Sequence, residues 1–165
     1  MPVLDRPWDP VRAEGGLAVV VAAAAPTNRM GRLSSDQYAW AERLGSHLRG
    51  RADRLIAGPE PGAALTARPV GEPEIEPLLG APGRLRRGAM SARGALPVLY
   101  DLPRTHPTGG LVVLVVHPWV QAALVQAVAG ERRRRAPFDP PTSCRTLGWT
   151  ASGGWRVVPG AWMPA

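Results

Sequence analysis

Residues 111–130, LVVLVVHPWVQAALVQAVAG, constrain the fold more than any other part of the chain. The first six are uniformly apolar, and four of them are valine. A short β-branched run with no polar alternation reads as a strand covered on both faces, as in the interior of a parallel sheet. His117 follows at once. Val120, Ala123, Leu124, Ala127 and Val128 then recur at helical spacing, and Gly130 supplies the stop. A histidine at the carboxyl end of a buried strand, where the chain turns into a helix, lies where open α/β sheets place their ligand sites. A histidine that merely closes a strand would look the same at this stage.

The remaining chain supports an α/β reading. Residues 17–21 (LAVVV) form a second buried-strand candidate, followed by the loop 22–32, AAAAPTNRMGR. Leu33-Ser34-Ser35-Asp36 opens a helix with a Ser or Asp available as N-cap. Its expected buried face is Tyr38, Trp40, Ala41, Leu44 and Leu48, and Gly50 ends it. Residues 53–57 form a third strand, 63–67 a short helical segment and 70–75 a strand weakened by Pro73. Residues 77–100 are expected to hold at most one helix, over 84–93, and 101–110 to form a loop carrying His106. After the prolines of 136–141, residues 143–149 and 155–158 read as a hairpin across Ser152-Gly153-Gly154. Strands alternating with helices and then a hairpin predict a three-layer αβα sandwich, its sheet mostly parallel with an antiparallel edge. Residues 1–165 are read as one domain, with 1–16 as a leader loop.

Composition narrows the function classes. The chain has 165 residues, 45% of them hydrophobic, enough for one real core. No apolar run is long enough to span a membrane, and the first ten residues lack a basic segment followed by an apolar one. The expectation is therefore a cytoplasmic protein. The single cysteine, Cys144, excludes an internal disulfide and fits a reducing compartment. All 20 basic residues are arginine, a bias typical of a GC-rich genome, and the net charge is +7. The run Arg132 to Arg135 and the looser cluster Arg84, Arg86 and Arg87 raise the question of nucleic acid. Few aromatic residues flank the run and no recognition-helix or zinc signature accompanies it, so the sequence weighs against that partner. A small-molecule substrate is expected instead, with no cofactor, no metal and a homodimer left open.

Several segments, taken in order, resemble one family. The strand 17–21 and the alanines 22–25 are followed by Thr27 and Asn28. Leu33, Ser34, Ala41, Leu44, Gly45 and Leu48 keep the spacing of a helix reading Leu-Thr-x-x-Gly-x-x-Gln-Ala-x-x-Leu-Gly-x-x-Leu. Gly58, Pro59, Gly62, Ala63, Thr66 and Ala67 occupy the places of Ser-Pro-x-x-Arg-Ala-x-x-Thr-Ala. Glu76 stands four residues before Gly80, a late strand ends in His117, and residues 154–158 (GWRVV) make a last strand. This order resembles the histidine phosphatase superfamily, whose fold is phosphoglycerate-mutase-like, over most of the chain.

The resemblance implies a phosphate site between two histidines and two arginines, one histidine being the nucleophile of an Arg-His-Gly motif. Here that position is alanine, Ala23 or Ala24, and its neighbouring arginine is alanine as well. The second arginine position is Gly62. What the resemblance carries over is His117 as the second histidine, Glu76 as the acid that protonates the leaving oxygen, and Asn28 as a polar pocket residue. Arg29 or Arg32 would add positive charge, and Trp119 a flat wall. Loss of the large side chains at Ala24 and Gly62 is expected to widen the pocket and make it more apolar. The first functional expectation is thus a non-phosphatase enzyme on this scaffold, with a biosynthetic pathway as its natural setting. It would use His117 as base and Glu76 as acid for elimination, isomerisation, hydrolysis or cyclisation. The alternatives are a catalytically dead pseudophosphatase that binds a ligand or protein, and a phosphatase whose nucleophile is displaced to His47 or His106.

Overall fold

The computed structural model describes residues 6–81, 91–130 and 143–164. The elements in order are α1 (Asp9–Ala13), β1 (Leu17–Ala23), α2 (Ser35–Leu48), β2 (Arg54–Ala57), α3 (Pro61–Ala67), β3 (Glu74–Ile75), a 3₁₀ turn (Pro77–Leu79), α4 (Ser91–Thr105), β4 (Gly110–Val116), α5 (Pro118–Ala129), β5 (Cys144–Thr150) and β6 (Gly154–Trp162). The arginine clusters at 84–87 and 132–135 lie outside the described residues.

The six strands make one sheet in the order β3-β2-β4-β1-β5-β6. β1 and β4 are its centre, paired in parallel from Leu17↔Gly110 to Ala23↔Val116. Every residue of β1 is buried, and so are Leu111 to Val116 of β4, which explains their unbroken apolar runs. β5 joins β1 antiparallel and β6 continues the antiparallel edge. β6 runs past Val158 through Pro159. An edge strand tolerates a proline because one of its sides needs no amide donor.

Alternate residues of β1 feed two cores. Ala18, Val20 and Ala22 meet Trp8, Val11, Trp40, Leu44, Leu48, Ala63 and Ala67, from α1, α2, α3 and the residue before α1. Leu17, Val19 and Val21 meet Leu99, Leu102, Val120 and Leu124 from α4 and α5. The result is the predicted three-layer αβα arrangement.

Four local expectations are corrected. The proposed leader loop 1–16 contains α1, with Trp8 and Val11 buried; their i, i+3 spacing and a proline in the first turn suit a short helix laid on the sheet. Tyr38 is 48% exposed, so the buried face of α2 is Trp40, Ala41, Leu44, Gly45 and Leu48. Of the strand expected over 70–75 only Glu74–Ile75 forms, after Pro73. Residues 84–90 of the helix placed over 84–93 lie outside the described residues; the loop expected over 101–110 is corrected, since α4 runs to Thr105 and contains Pro97 and Pro103. An interior proline costs about 3 kcal/mol. Burying Leu99 and Leu102, with Ala95 one turn earlier, offsets this at roughly 1.5–3 kcal/mol per large side chain.

Candidate functional site

The parallel strands end together, β1 at Ala23, β2 at Ala57 and β4 at Val116. Although β1 and β4 are neighbours, the chain leaves β1 toward α2 on one face and leaves β4 toward α5 on the other. Such a switch point, at the carboxyl ends of the strands, is where open α/β sheets place their ligand sites. Ala24 borders it on one side, its N–H donating to the Val116 carbonyl at 2.7 Å, and His117 on the other.

His117 is the N-cap of α5. Its Nδ1 accepts a hydrogen bond from the Trp119 N–H at 3.1 Å. A backbone N–H can only donate, so Nδ1 carries the lone pair and the ring proton sits on Nε2. The ring is half-buried, and burial lowers its pKa below the usual histidine value; the Glu60 charge acts in the opposite sense. The positive end of α5 also disfavours an imidazolium. His117 therefore stands neutral at pH 7 with its ring proton on Nε2. One turn on, buried Gln121 donates through Nε2 to the carbonyls of Val21 (2.8 Å) and Ser143 (3.2 Å), tying α5 to β1 and to the residue before β5. A polar residue on the buried spacing 117, 120, 121, 124 is the sequence signal for this anchor.

The opposite wall is closed rather than widened. A Cβ at Gly62 would run into the carbonyl oxygen of Ala25. Buried Thr66 fixes this contact: its Oγ1 donates to the Gly62 carbonyl at 2.6 Å and accepts from the Ala25 N–H at 3.1 Å. Ala24 and Ala25 are only 6% and 4% exposed. The expected enlargement at Gly62 is thus corrected: backbone occupies the space a side chain would need.

The other predicted residues divide. Asn28 Oδ1 accepts from the N–H groups of Met30 (2.9 Å) and Arg32 (3.0 Å), so its amide shapes its own loop. Arg29 and Arg32 are exposed on that loop, and Trp119 is 41% exposed on the first turn of α5. Glu76 caps the 3₁₀ turn by accepting from the Leu78 N–H at 3.1 Å. It lines a shallow groove of about 410 Å³ with Arg54, Glu74, Pro97 and Asp101. The carboxylate whose charge reaches His117 is Glu60, in a segment that reads from sequence only as a loop. Its signal is an acid shortly after a strand whose partner ends in histidine. Among the described residues, no group of three or more His, Cys, Asp or Glu is placed to hold a metal ion, and no helix is long and apolar enough to cross a membrane.

No protein-family model matches the chain, and no curated protein matches it either. Solved structures do. Bacillus stearothermophilus YhfR aligns with a TM-score of 0.68 at 16% identity, covering 86% of this chain and 95% of that one. A mycobacterial glucosyl-3-phosphoglycerate phosphatase aligns with a TM-score of 0.62 at 18% identity, covering 91% and 99%. A histidine-to-alanine variant of Entamoeba histolytica phosphoserine phosphatase, solved with phosphoserine, aligns with a TM-score of 0.65 at 12% identity, covering 87% and 95%. With its mixed six-stranded sheet, mostly parallel with an antiparallel edge, the chain has the histidine-phosphatase-like, phosphoglycerate-mutase-like fold.

Proposed function

We propose that the chain is a small-molecule enzyme on a histidine-phosphatase-like scaffold that has lost phosphoryl transfer and retains acid/base chemistry at His117. The observation that carries this is the seating of the Ala25 carbonyl against Gly62. A phosphoryl group needs a nucleophile and cationic clamps on its equatorial oxygens. The nucleophile position holds alanine, and the second clamp position has no room for a side chain. Losing one such electrostatic donor costs about 3–4 kcal/mol of transition-state stabilisation. Losing the nucleophile as well removes the reaction path.

What is left is a neutral imidazole offering Nε2–H. It can hydrogen-bond and polarise a substrate carbonyl, as a neutral histidine at a helix N-terminus does. In this tautomer His117 is the donor, the reverse of the base role expected from the sequence. Elimination, isomerisation, hydrolysis and cyclisation at an uncharged carbonyl compound all fit such a donor. Incubation with an aryl phosphate should give no vanadate-sensitive hydrolysis, and such hydrolysis would overturn the proposal. A panel of esters, lactones and hydroxy-ketones, followed by mass spectrometry, should contain a substrate whose turnover vanishes in His117→Ala while the circular dichroism spectrum is unchanged.

A second reading, a pseudophosphatase that binds without turnover, is favoured by the burial of Ala24 and Ala25, which leaves little exposed surface where β1 ends. It predicts ligands that shift the His117 resonances with no product formed. A displaced nucleophile is disfavoured. His106 precedes β4 at the end of the sheet remote from His117, and His47 stands edge-on to Trp162, their ring centroids 5.3 Å apart.

A further inference from the structure

We propose that Glu60 is the positioning carboxylate of His117, paired with it across the carboxyl ends of β2 and β4. The inference rests on the reading of His117 as the reactive group. The two strands are adjacent and parallel, with Ala57 in register with Val115. Glu60 lies three residues beyond Ala57 and His117 two beyond Val115, so both emerge at the same end of the sheet.

The carboxylate of Glu60 is held there by the surrounding backbone. Glu60 is the N-cap of α3, yet its side chain makes no capping bond. Its Oε1 instead accepts from the N–H of Ala81, 21 residues on. Its Oε2 is buried and has no hydrogen-bond partner among the described residues. That oxygen lies over Gly58, where a Cβ would stand 2.8 Å away, so glycine leaves the space it occupies. An unpaired buried carboxylate oxygen is costly, and a protein keeps one where its field is used.

The elements packed on α5 carry charge, Asp101 and Arg104 on α4, Arg145 on β5 and Arg156 on β6, but among the described residues Glu60 is the charge that acts on the His117 ring. β1 ends in the alanines 22–25, α5 reads PWVQAALVQAVA and α3 reads PGAALTA, none with an ionisable side chain. Glu60 is the charged group that acts on the ring, and it acts to favour the proton. Burial favours the neutral ring and Glu60 opposes that shift, so the balance of the two sets how readily the imidazole takes up a second proton. No substrate contact is required of Glu60: it works through the imidazole.

The test is an NMR titration of the His117 ring in the free chain, alongside Glu60→Gln and Glu76→Gln. The amide introduced by Glu60→Gln keeps an acceptor for the Ala81 N–H while removing the charge. The expected result is a His117 pKa lowered by roughly half a unit or more in Glu60→Gln and unmoved in Glu76→Gln. A His117 titration unchanged by Glu60→Gln, in a folded variant, overturns the proposal. Should that variant not fold, the native chain decides. Coupled groups show each other's inflection, so the Glu60 carboxyl carbon should report the His117 transition, and its silence would overturn the pairing. These measurements need no substrate. A chain with coupling and no turnover sinks only the enzymatic reading, and turnover without coupling sinks only this one.

Discussion

Gly62 shows how much one residue decides. The Ala25 carbonyl fills the position of any side chain at 62, and Thr66 holds both backbones together. Gly62→Ala should therefore destabilise by about 1–3 kcal/mol, the usual cost of overpacking, measured by urea denaturation. Gly62→Arg should be at least as damaging and should not create phosphatase activity. His117 gives a pH prediction of defined sign. Its folded pKa is depressed by burial, so the unfolded chain binds the proton more readily. The contribution of His117 to stability is fully present above the ordinary histidine pKa near 6.5 and is lost as pH falls through the lower folded value. Denaturation midpoints of the native chain should fall over that window more steeply than those of His117→Gln, which cannot titrate.

At the level of elements, α2 and α4 make opposite lessons. The start of α2 is readable in the sequence: Ser34 accepts from the Gln37 N–H at 3.3 Å and the Gln37 side chain accepts from the Ser34 N–H at 2.7 Å, a full capping box. Ser34→Ala should cost about 1 kcal/mol in thermal or urea unfolding. α4 is not readable, because Pro97 and Pro103 are strong local signals against a helix and only the sheet beneath makes the spacing of Ala95, Leu99 and Leu102 decisive. Pro97 is exposed, so Pro97→Ala should raise stability by roughly 1–3 kcal/mol, seen as a higher denaturation midpoint. The central strands, α5 and the closing hairpin are legible because their burial is written as unbroken apolar runs and turn residues. α1 escapes notice because five residues carry too little periodicity. In the site, His117 is legible from its place between strand and helix. The carboxylate we propose beside it is not, because Glu60 and Glu76 both follow strands, and only the course of the backbone shows that the Glu76 side chain caps its own 3₁₀ turn.

On the scale of the molecule, the fold is a sheet clamped between two cores, with β5 joined directly to β1. Cys144 begins that strand; it is fully buried, and burial pushes its thiol pKa up. A thiol reagent should therefore modify Cys144 only at the rate of global opening, with protection collapsing near the denaturation midpoint. Faster labelling in the native state would mean that the hairpin opens by itself. The closed contact between Ala25 and Gly62 also limits how the sequence can change. Any side chain at 62 must displace the Ala25 carbonyl, and Thr66 ties both backbones in place. The contact is an interlock: position 62 stays glycine unless the loop after β1, 37 residues away in sequence, moves with it.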